Sequence, residues 1–288
     1  MLRIKQLPTF DSVAAGKKAV CNLPLGLRYH TITLELGNNA VAANTITDLV
    51  DDIVVKINGK PQRIATGDQT NQLNGVNGAA HLLTATGVDG QATRRLRLPI
   101  HFAEPWRKSV DEVQALALRA NGINSFQLEV TMKAGLAAPL LSGWYEFDYD
   151  NRPIGLISKW TRQDFSAVGT SVDITTINKV DFIEAIHLFP TSDGKFVNDV
   201  KLTANGEELR DKITNVQNAA TLVGREMNPD TSATPRYDLV FDYDDPVNGA
   251  LPTQANGEPI KELTLKLTWN AAAAGTQTAI IKRTGPPD

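Results

Sequence analysis

One eight-residue phrase occurs twice in this chain. Asp52-Ile53-Val54-Val55-Lys56-Ile57-Asn58-Gly59 returns 147 residues later as Asp199-Val200-Lys201-Leu202-Thr203-Ala204-Asn205-Gly206. Each is an alternating run closed by Asn-Gly, a pair that tolerates φ > 0 and so favours a tight turn. The flanking segments repeat in the same order. Gly16 with Ala19 and Cys21 is matched 153 residues on by Gly169 with Val172 and Ile174, and Ile32 and Leu34 are matched 154 residues on by Ile186 and Leu188. Leu98, Ile100, Phe102 and Pro105 return after 141 residues as Leu239, Phe241, Tyr243 and Pro246. Leu128, Val130, Thr131 and Met132 return after 137 residues as Leu265, Leu267, Thr268 and Trp269. Any one match is weak, because alternating strands resemble one another. A kept order within a narrow range of offsets indicates tandem duplication, and so two like folding units.

The repeated material reads as β-structure. Ile32, Leu34 and Leu36 form one face of a strand, as do Ile53, Val55 and Ile57, then Leu96, Leu98, Ile100 and Phe102, and Phe126, Leu128, Val130 and Met132. Period-2 alternation buries one face and wets the other, the habit of antiparallel sheets. Pro99 lacks a ladder donor, which places its strand at an edge or a bulge. Each half spans roughly 140 residues with about eight short strands, and eight antiparallel strands in two facing sheets make a jelly roll. The expected fold is therefore all-β, a double jelly roll with a few short helices. Its N-terminal domain is expected at 1–142, and a connector plus the C-terminal domain at 143–288. The connector, Ala134–Trp160, holds Gly135, Pro139, Gly143, Pro153 and Gly155, but also enough aromatic residues to be packed. Two helices are expected. Ser109-Val110-Asp111-Glu112 reads as a capping box, followed by the stripe Val113, Leu116, Ala117 and Ala120 and a stop at Asn121-Gly122. The second runs from about Glu207 to Val223, with Leu209, Ile213, Val216 and Ala220 on one face and Glu208 paired to Lys212.

Charge and cysteine usage exclude several function classes. The chain has 288 residues, 29 Lys+Arg against 32 Asp+Glu and a net charge of −3, whereas non-specific nucleic-acid binding needs a cationic surplus. A single cysteine, Cys21, leaves no internal disulfide framework and no multi-cysteine zinc site. Apolar runs such as Ala137 to Leu141 fall far short of the ~20 residues that cross a bilayer. Pro8, Asp11 and Gly16 interrupt any secretory h-region, so the chain is expected to be made and kept in the cytoplasm, or released only by lysis. Residues 1–28 hold Arg3, Lys5, Lys17, Lys18 and Arg28 against Asp11 alone. This is either a solvated basic arm or one that faces an anionic surface such as lipid headgroups.

The residues that carry chemistry form no catalytic constellation. His30, His81, His101 and His187 show no metal-ligand spacing, and those in strands fall on the wetter face. Cys21 reads as a small buried hydrophobe. Gly75-Val76-Asn77-Gly78 and Gly87-Val88-Asp89-Gly90 are loop punctuation without phosphate-loop spacing. Asp148-Tyr149-Asp150 and Asp242-Tyr243-Asp244-Asp245 admit three readings: polar strand edges, calcium ligands, or a glycosidase carboxylate pair. Trp106, Trp144, Trp160 and Trp269 suit core or subunit contacts better than sugar stacking. No catalytic, cofactor-binding or metal-binding residue is assigned, and the function is sought in the surface, through self-association.

Leu7-Pro8, Val13-Ala14-Ala15-Gly16, Leu23-Pro24-Leu25-Gly26 and Tyr29 with Ile32 and Leu34 resemble the opening of the corticovirus major capsid protein family. The similarity continues at Ile100-His101-Phe102-Ala103-Glu104-Pro105, from Phe126 to Ala138, at Ala185-Ile186-His187-Leu188 and at Asn205-Gly206-Glu207-Glu208-Leu209-Arg210-Asp211. Corticoviruses are tailless icosahedral bacteriophages with an internal membrane. The resemblance implies a double jelly roll whose two sandwiches stand side by side, normal to the capsid surface, with three chains forming a pseudo-hexameric trimer. It implies a non-enzymatic major coat protein of the virion, made in the host cytoplasm. The expected partners are its own copies in the homotrimer, neighbouring capsid trimers, vertex proteins, and the internal lipid membrane at the basic N-terminal arm. Neither a small-molecule substrate nor nucleic-acid specificity is expected. The family is associated with calcium, and the resemblance assigns no ligands for a structural calcium here. The rival readings are a carbohydrate-binding or glycoside-active β-sandwich and a minor coat or spike protein of a similar virus.

Overall fold

Alternating stripes become strands nearly wherever the sequence places them. The computed structural model describes residues 1–38, 45–78, 83–85, 95–242, 250–255 and 258–288. The chain divides into two compact units, Met1–Lys159 together with Pro286–Asp288, and Trp160–Gly285. The first holds β1 (Arg3–Gln6), β2 (Lys18–Asn22), β3 (Arg28–Asn38), α1 (Ile46–Leu49), β4 (Val50–Ile57), β5 (Lys60–Thr66) and α2 (Gly67–Val76). It continues with β6 (Leu83–Ala85), β7 (Arg95–His101), α3 (Val110–Ala115), β8 (Leu118–Arg119), β9 (Phe126–Met132) and β10 (Pro139–Asp148). One sheet runs β1-β10-β3-β7-β6, with β8 also on β3, and the other runs β5-β4-β9-β2. All these pairs are antiparallel. Ile32, Leu34, Leu98 and Tyr145 from the first sheet meet Ile53, Val55, Leu128 and Val130 from the second in one buried cluster, the interior of a sandwich. Pro99 lies on β7 just past the Arg95–Arg97 stretch that β6 covers, and among the described residues no strand pairs with it on that side, as suits a strand proline.

The second unit holds β11 (Ile157–Ile174, from Trp160 onward), β12 (Phe182–Leu188), β13 (Val197–Ala204), β14 (Glu207–Thr214), α4 (Asn215–Val223) and β15 (Tyr237–Val240). β16 (Leu251–Pro252), β17 (Gln254–Ala255), β18 (Glu258–Pro259) and β19 (Leu263–Gly285) complete it. β19 serves two sheets. Its residues Leu263–Trp269 pair with β13, and Ala279–Thr284 pair with β12. One sheet therefore runs β14-β13-β19-β11, and the other sets β12 between β15 and β19, with β16 also on β12. Ile186, Leu188 and Leu239 meet Val200, Leu202, Leu265 and Leu267 in the buried cluster between them. Both units are thus jelly-roll sandwiches, and the fold is a double jelly roll.

The duplication reaches individual hydrogen bonds. Asn58 and Gly59 adopt φ of 52° and 79°, and Asn205 and Gly206 adopt 49° and 82°. Asn58 Oδ1 accepts from the backbone amides of Asn124 (2.7 Å) and Ser125 (3.3 Å), and Asn205 Oδ1 accepts from those of Lys261 (2.9 Å) and Glu262 (3.1 Å). After each hairpin a threonine caps a helix. Thr66 and Gln69 satisfy each other's amides ahead of α2, and Thr214 and Gln217 do so ahead of α4. Each helix then sets a buried Asn amide on a strand carbonyl, Asn74 on Pro99 and Asn218 on Asp238, both at 2.8 Å.

Three sequence expectations are corrected. The helix expected over Glu207–Val223 begins only at Asn215, and Glu207–Thr214 is β14, folded back on β13 by the Asn205-Gly206 turn. Four is an even number, so Leu209 and Ile213 share a strand face as readily as a helix face. Glu208 pairs with Lys201 across the hairpin rather than with Lys212. The helix at Ser109 keeps its cap, with Ser109 Oγ accepting from the Glu112 amide, but stops at Ala115 because Leu118 and Arg119 pair with β3. The expected connector contains β10, whose Gly143, Tyr145 and Phe147 point inward. A Cβ at Gly143 would run into the Thr33 carbonyl, so β3 and β10 approach this closely only with glycine there. The boundary drawn at 142/143 falls inside β10, and the compact units divide at Lys159/Trp160.

Candidate functional site

The acidic cluster at the end of β10 is saturated by arginine. Arg28 holds Asp148 through two nitrogens, Nε at 2.8 Å and a terminal nitrogen at 2.5 Å, while His30 Nε2 lies 3.2 Å from the same carboxylate. Asp150 meets Arg119 at 2.9 Å, Arg152 at 2.7 Å and Arg28 at 3.4 Å. Hydrogen bonds from Arg28 hold the Asp148 carboxyl below the usual carboxylate range, and those from Arg152 and Arg119 do the same for Asp150. Three guanidinium groups face two carboxylates. Such a cluster repels a hard cation and leaves no carboxyl free to act as acid or nucleophile, so Asp148 and Asp150 take the structural reading. Of the second acidic run, Asp242 is buried, and Tyr243, Asp244 and Asp245 lie outside the described residues.

A cluster that the sequence did not reveal lies in the second unit. His187 on β12 and Asp238 on β15 are opposed in register, with His187 Nδ1 at 2.7 Å from Asp238 Oδ1. Arg236 grips both oxygens of Asp238, at 2.6 and 3.0 Å. Burial alone would push the Asp238 carboxyl up, but Arg236 and His187 hold it down, at about 2. Burial pushes the His187 imidazole down against the pull of Asp238, and its Nε2 has no hydrogen-bond partner. The face opposite the core is therefore closed to water here, contrary to the wetter face expected for this histidine. The only available signal was its match to Asp238 across two strands, a register that no single strand shows.

The remaining residues singled out fall into structural roles. His30 and His101 are buried as well, and His101 Nδ1 lies 3.2 Å from Thr31 Oγ1. His81 lies outside the described residues, as does Gly87–Gly90. The Cys21 thiol is buried against the Pro8 carbonyl, and burial pushes it up to about 11, where it is an inert thiol. Trp269 is in the core, with Nε1 donating to Gln277, and Trp160 is buried. Trp144 lies under Arg97, and Trp106 meets His101 edge-on. The basic N-terminal stretch is not a loose arm. β1 is hydrogen-bonded along β10, Arg3 lies over Tyr149, Lys18 pairs with Glu129, and Arg28 belongs to the Asp148/Asp150 cluster. Lys5 and Lys17 remain exposed, with Leu2 and Ile4 exposed beside them.

Comparison with known proteins places the chain among viral coat proteins. Residues 4–148 match the family model for the N-terminal domain of viral coat protein P2. The fold is similar to the major capsid protein P2 of bacteriophage PM2, with a TM-score of 0.81 and 18% identity, covering 100% of this chain and 98% of that one. It is similar to the MCP of STIV (TM-score 0.67, 11% identity, 99% and 96% covered). It is also similar to VP54 of PBCV-1 (TM-score 0.62, 13% identity, 99% and 94% covered). No curated protein sequence matches the chain.

Proposed function

The chain belongs to the viral coat protein P2 family, and from that membership we infer that it is the major coat subunit of a tailless, membrane-containing icosahedral phage, assembled as a homotrimer. It is a structural capsid protein and a component of the virion shell. The observation that carries the trimer is the doubled sandwich. Two like units repeated about a three-fold axis present six similar sides, a tile that covers a hexagonal lattice without six identical contacts. Neighbouring trimers and vertex proteins are its further partners, and synthesis takes place in the host cytoplasm before assembly. The protein performs no reaction. The rival carbohydrate-active reading needs a carboxylate pair free of arginine, which Asp148 and Asp150 do not supply. The exposed Lys5 and Lys17, with Arg3, Leu2 and Ile4, form the part of the N-terminal segment suited to anionic headgroups of the inner membrane.

Sedimentation of the full chain tests the trimer. Three chain masses are expected, and a monomer at high concentration overturns it. Vesicles containing anionic lipid test the membrane contact. Binding should be lost on replacing Arg3, Lys5 and Lys17 by Glu, and a wild-type chain that ignores such vesicles overturns that part.

A further inference from the structure

We propose that the exposed face of α4 docks onto the first unit of a second copy of this chain. The inference rests on the coat-subunit reading and names the surface that joins the copies.

Helix α4 buries only Asn218 and Leu222, with Leu222 packed among Ala185, Val240 and Met227. Its other side carries Val216, Ala220 and Val223 at i, i+4 and i+7, an apolar stripe in water. Val216 is 80% exposed and Val223 62%. The fold does not require this. Helix α2 is the same helix in the first unit, with the same Thr/Gln cap 148 residues earlier. Its corresponding positions are Asp68, Gln72 and Gly75, and Gln72 donates to Asp68 across the helix surface at 2.7 Å. One scaffold thus has a polar outer face in one unit and an apolar one in the other. Apolar surface kept exposed in this way marks an interaction face.

Charge selects the occupant. Asp211 and Lys212 are exposed on the strand leading into α4, and Arg225 and Glu226 are exposed just past it, so the margins of the stripe are balanced and the net charge of the units decides. The whole second unit holds 12 Lys+Arg and 17 Asp+Glu, and the first holds 17 and 15. A contact between two second units would set net −5 against −5. A contact from the second unit of one copy to the first unit of another sets −5 against +2. The favoured association is therefore head-to-tail, the kind that closes into a ring. The partner surface is also supplied in equal number by every copy.

The test uses the full chain, with sedimentation velocity at low and high salt and circular dichroism as the check on folding. The wild type should associate, and less tightly as salt rises. The double variant Val216→Asp, Val223→Asp should keep its spectrum and associate about 100-fold more weakly, because two anchors become charges at a desolvated contact. A wild type that never associates overturns the coat-subunit reading. A wild type that associates, with a double variant that associates equally well, overturns this inference alone. A second measurement places a photocrosslinker on Val216→Cys in a mixture of isotope-labelled and unlabelled chains. Cys21, the one native cysteine, is buried and stays unlabelled. Mixed crosslinks into residues 1–159 are expected, and mixed crosslinks between two α4 helices overturn the head-to-tail contact.

Discussion

Replacing Asn58 or Asn205 by alanine should cost the protein nearly the same stability, although the two residues lie in different units. Both sit in the left-handed region, at φ of 52° and 49°. An L-residue without a polar side chain loses roughly 1 kcal/mol there relative to asparagine. Each side chain also accepts two backbone amides from the loop before the next strand, Asn124 and Ser125 in one unit and Lys261 and Glu262 in the other. Those amides are exposed and regain water when the acceptor is removed. Each bond is therefore worth about 0.5–1 kcal/mol, the low end of the usual range. The alanine variants should lose about 2–3 kcal/mol each, and glycine, which keeps the positive φ, about 1–2 kcal/mol.

Urea unfolding followed by circular dichroism measures these losses, and calorimetry should show a midpoint lowered by about 5–10 °C for either alanine variant. The two sites share no partner, so the double variant should lose the sum within about 0.5 kcal/mol. A neutral Asn205→Ala beside a costly Asn58→Ala would refute the claim that both turns do the same physical job. Glycine variants as costly as alanine would refute the backbone part of the estimate.

Gly143→Ala should cost at least about 2–3 kcal/mol in urea unfolding, because its Cβ meets the Thr33 carbonyl between paired strands. Gly75→Ala in α2 meets nothing and should gain up to about 1 kcal/mol. Acidification should weaken the second unit through His187. Its folded pKa is depressed by burial, so its contribution is present above the unfolded value of about 6.5 and is lost as pH falls below it. Calorimetry from pH 7 to pH 5 should show a falling midpoint in the wild type and a flatter one in His187→Gln. An unchanged slope would assign the titration elsewhere.

The fold was legible in the sequence wherever one face of a strand is buried and the other is not. β9 spans Phe126–Met132, the limits that its alternation gives, and Ile53, Val55 and Ile57 face inward from β4. Legibility failed where the period itself is ambiguous or is overridden by pairing. Leu209 and Ile213 satisfy both periods, and only the hairpin register of β14 decides between them. α2 carries the cap Thr66 with Gln69, but too few apolar positions to show a helical stripe. β10 hides among glycine and proline because its inward positions include Gly143. The polar clusters were least legible of all. Arg28, Arg119, Asp148 and Asp150 come from three separate strands or strand ends, so Asp148-Tyr149-Asp150 reads as a free acidic run until the arginines are placed on it.

The two units also separate what the fold needs from what it does not. The turn asparagines, the threonine caps and the positive-φ glycines Gly16 and Gly169 are kept in both copies, each where a backbone group must be satisfied or a left-handed residue is required. The outer face of the capped helix is not kept. It is polar in α2 and apolar in α4, and α1 packs its Ile46 against Gly67 at the start of α2. Nothing inside the sandwich requires this outer face to be polar in one copy and apolar in the other. The proposed contact of α4 with a second copy would give the second unit a neighbour that the polar face of α2 does not serve. The difference falls on the outer face of the helix, while its threonine cap and its buried asparagine amide are held constant. The same contact accounts for the charge difference between the units, 17 Lys+Arg against 15 Asp+Glu in the first and 12 against 17 in the second.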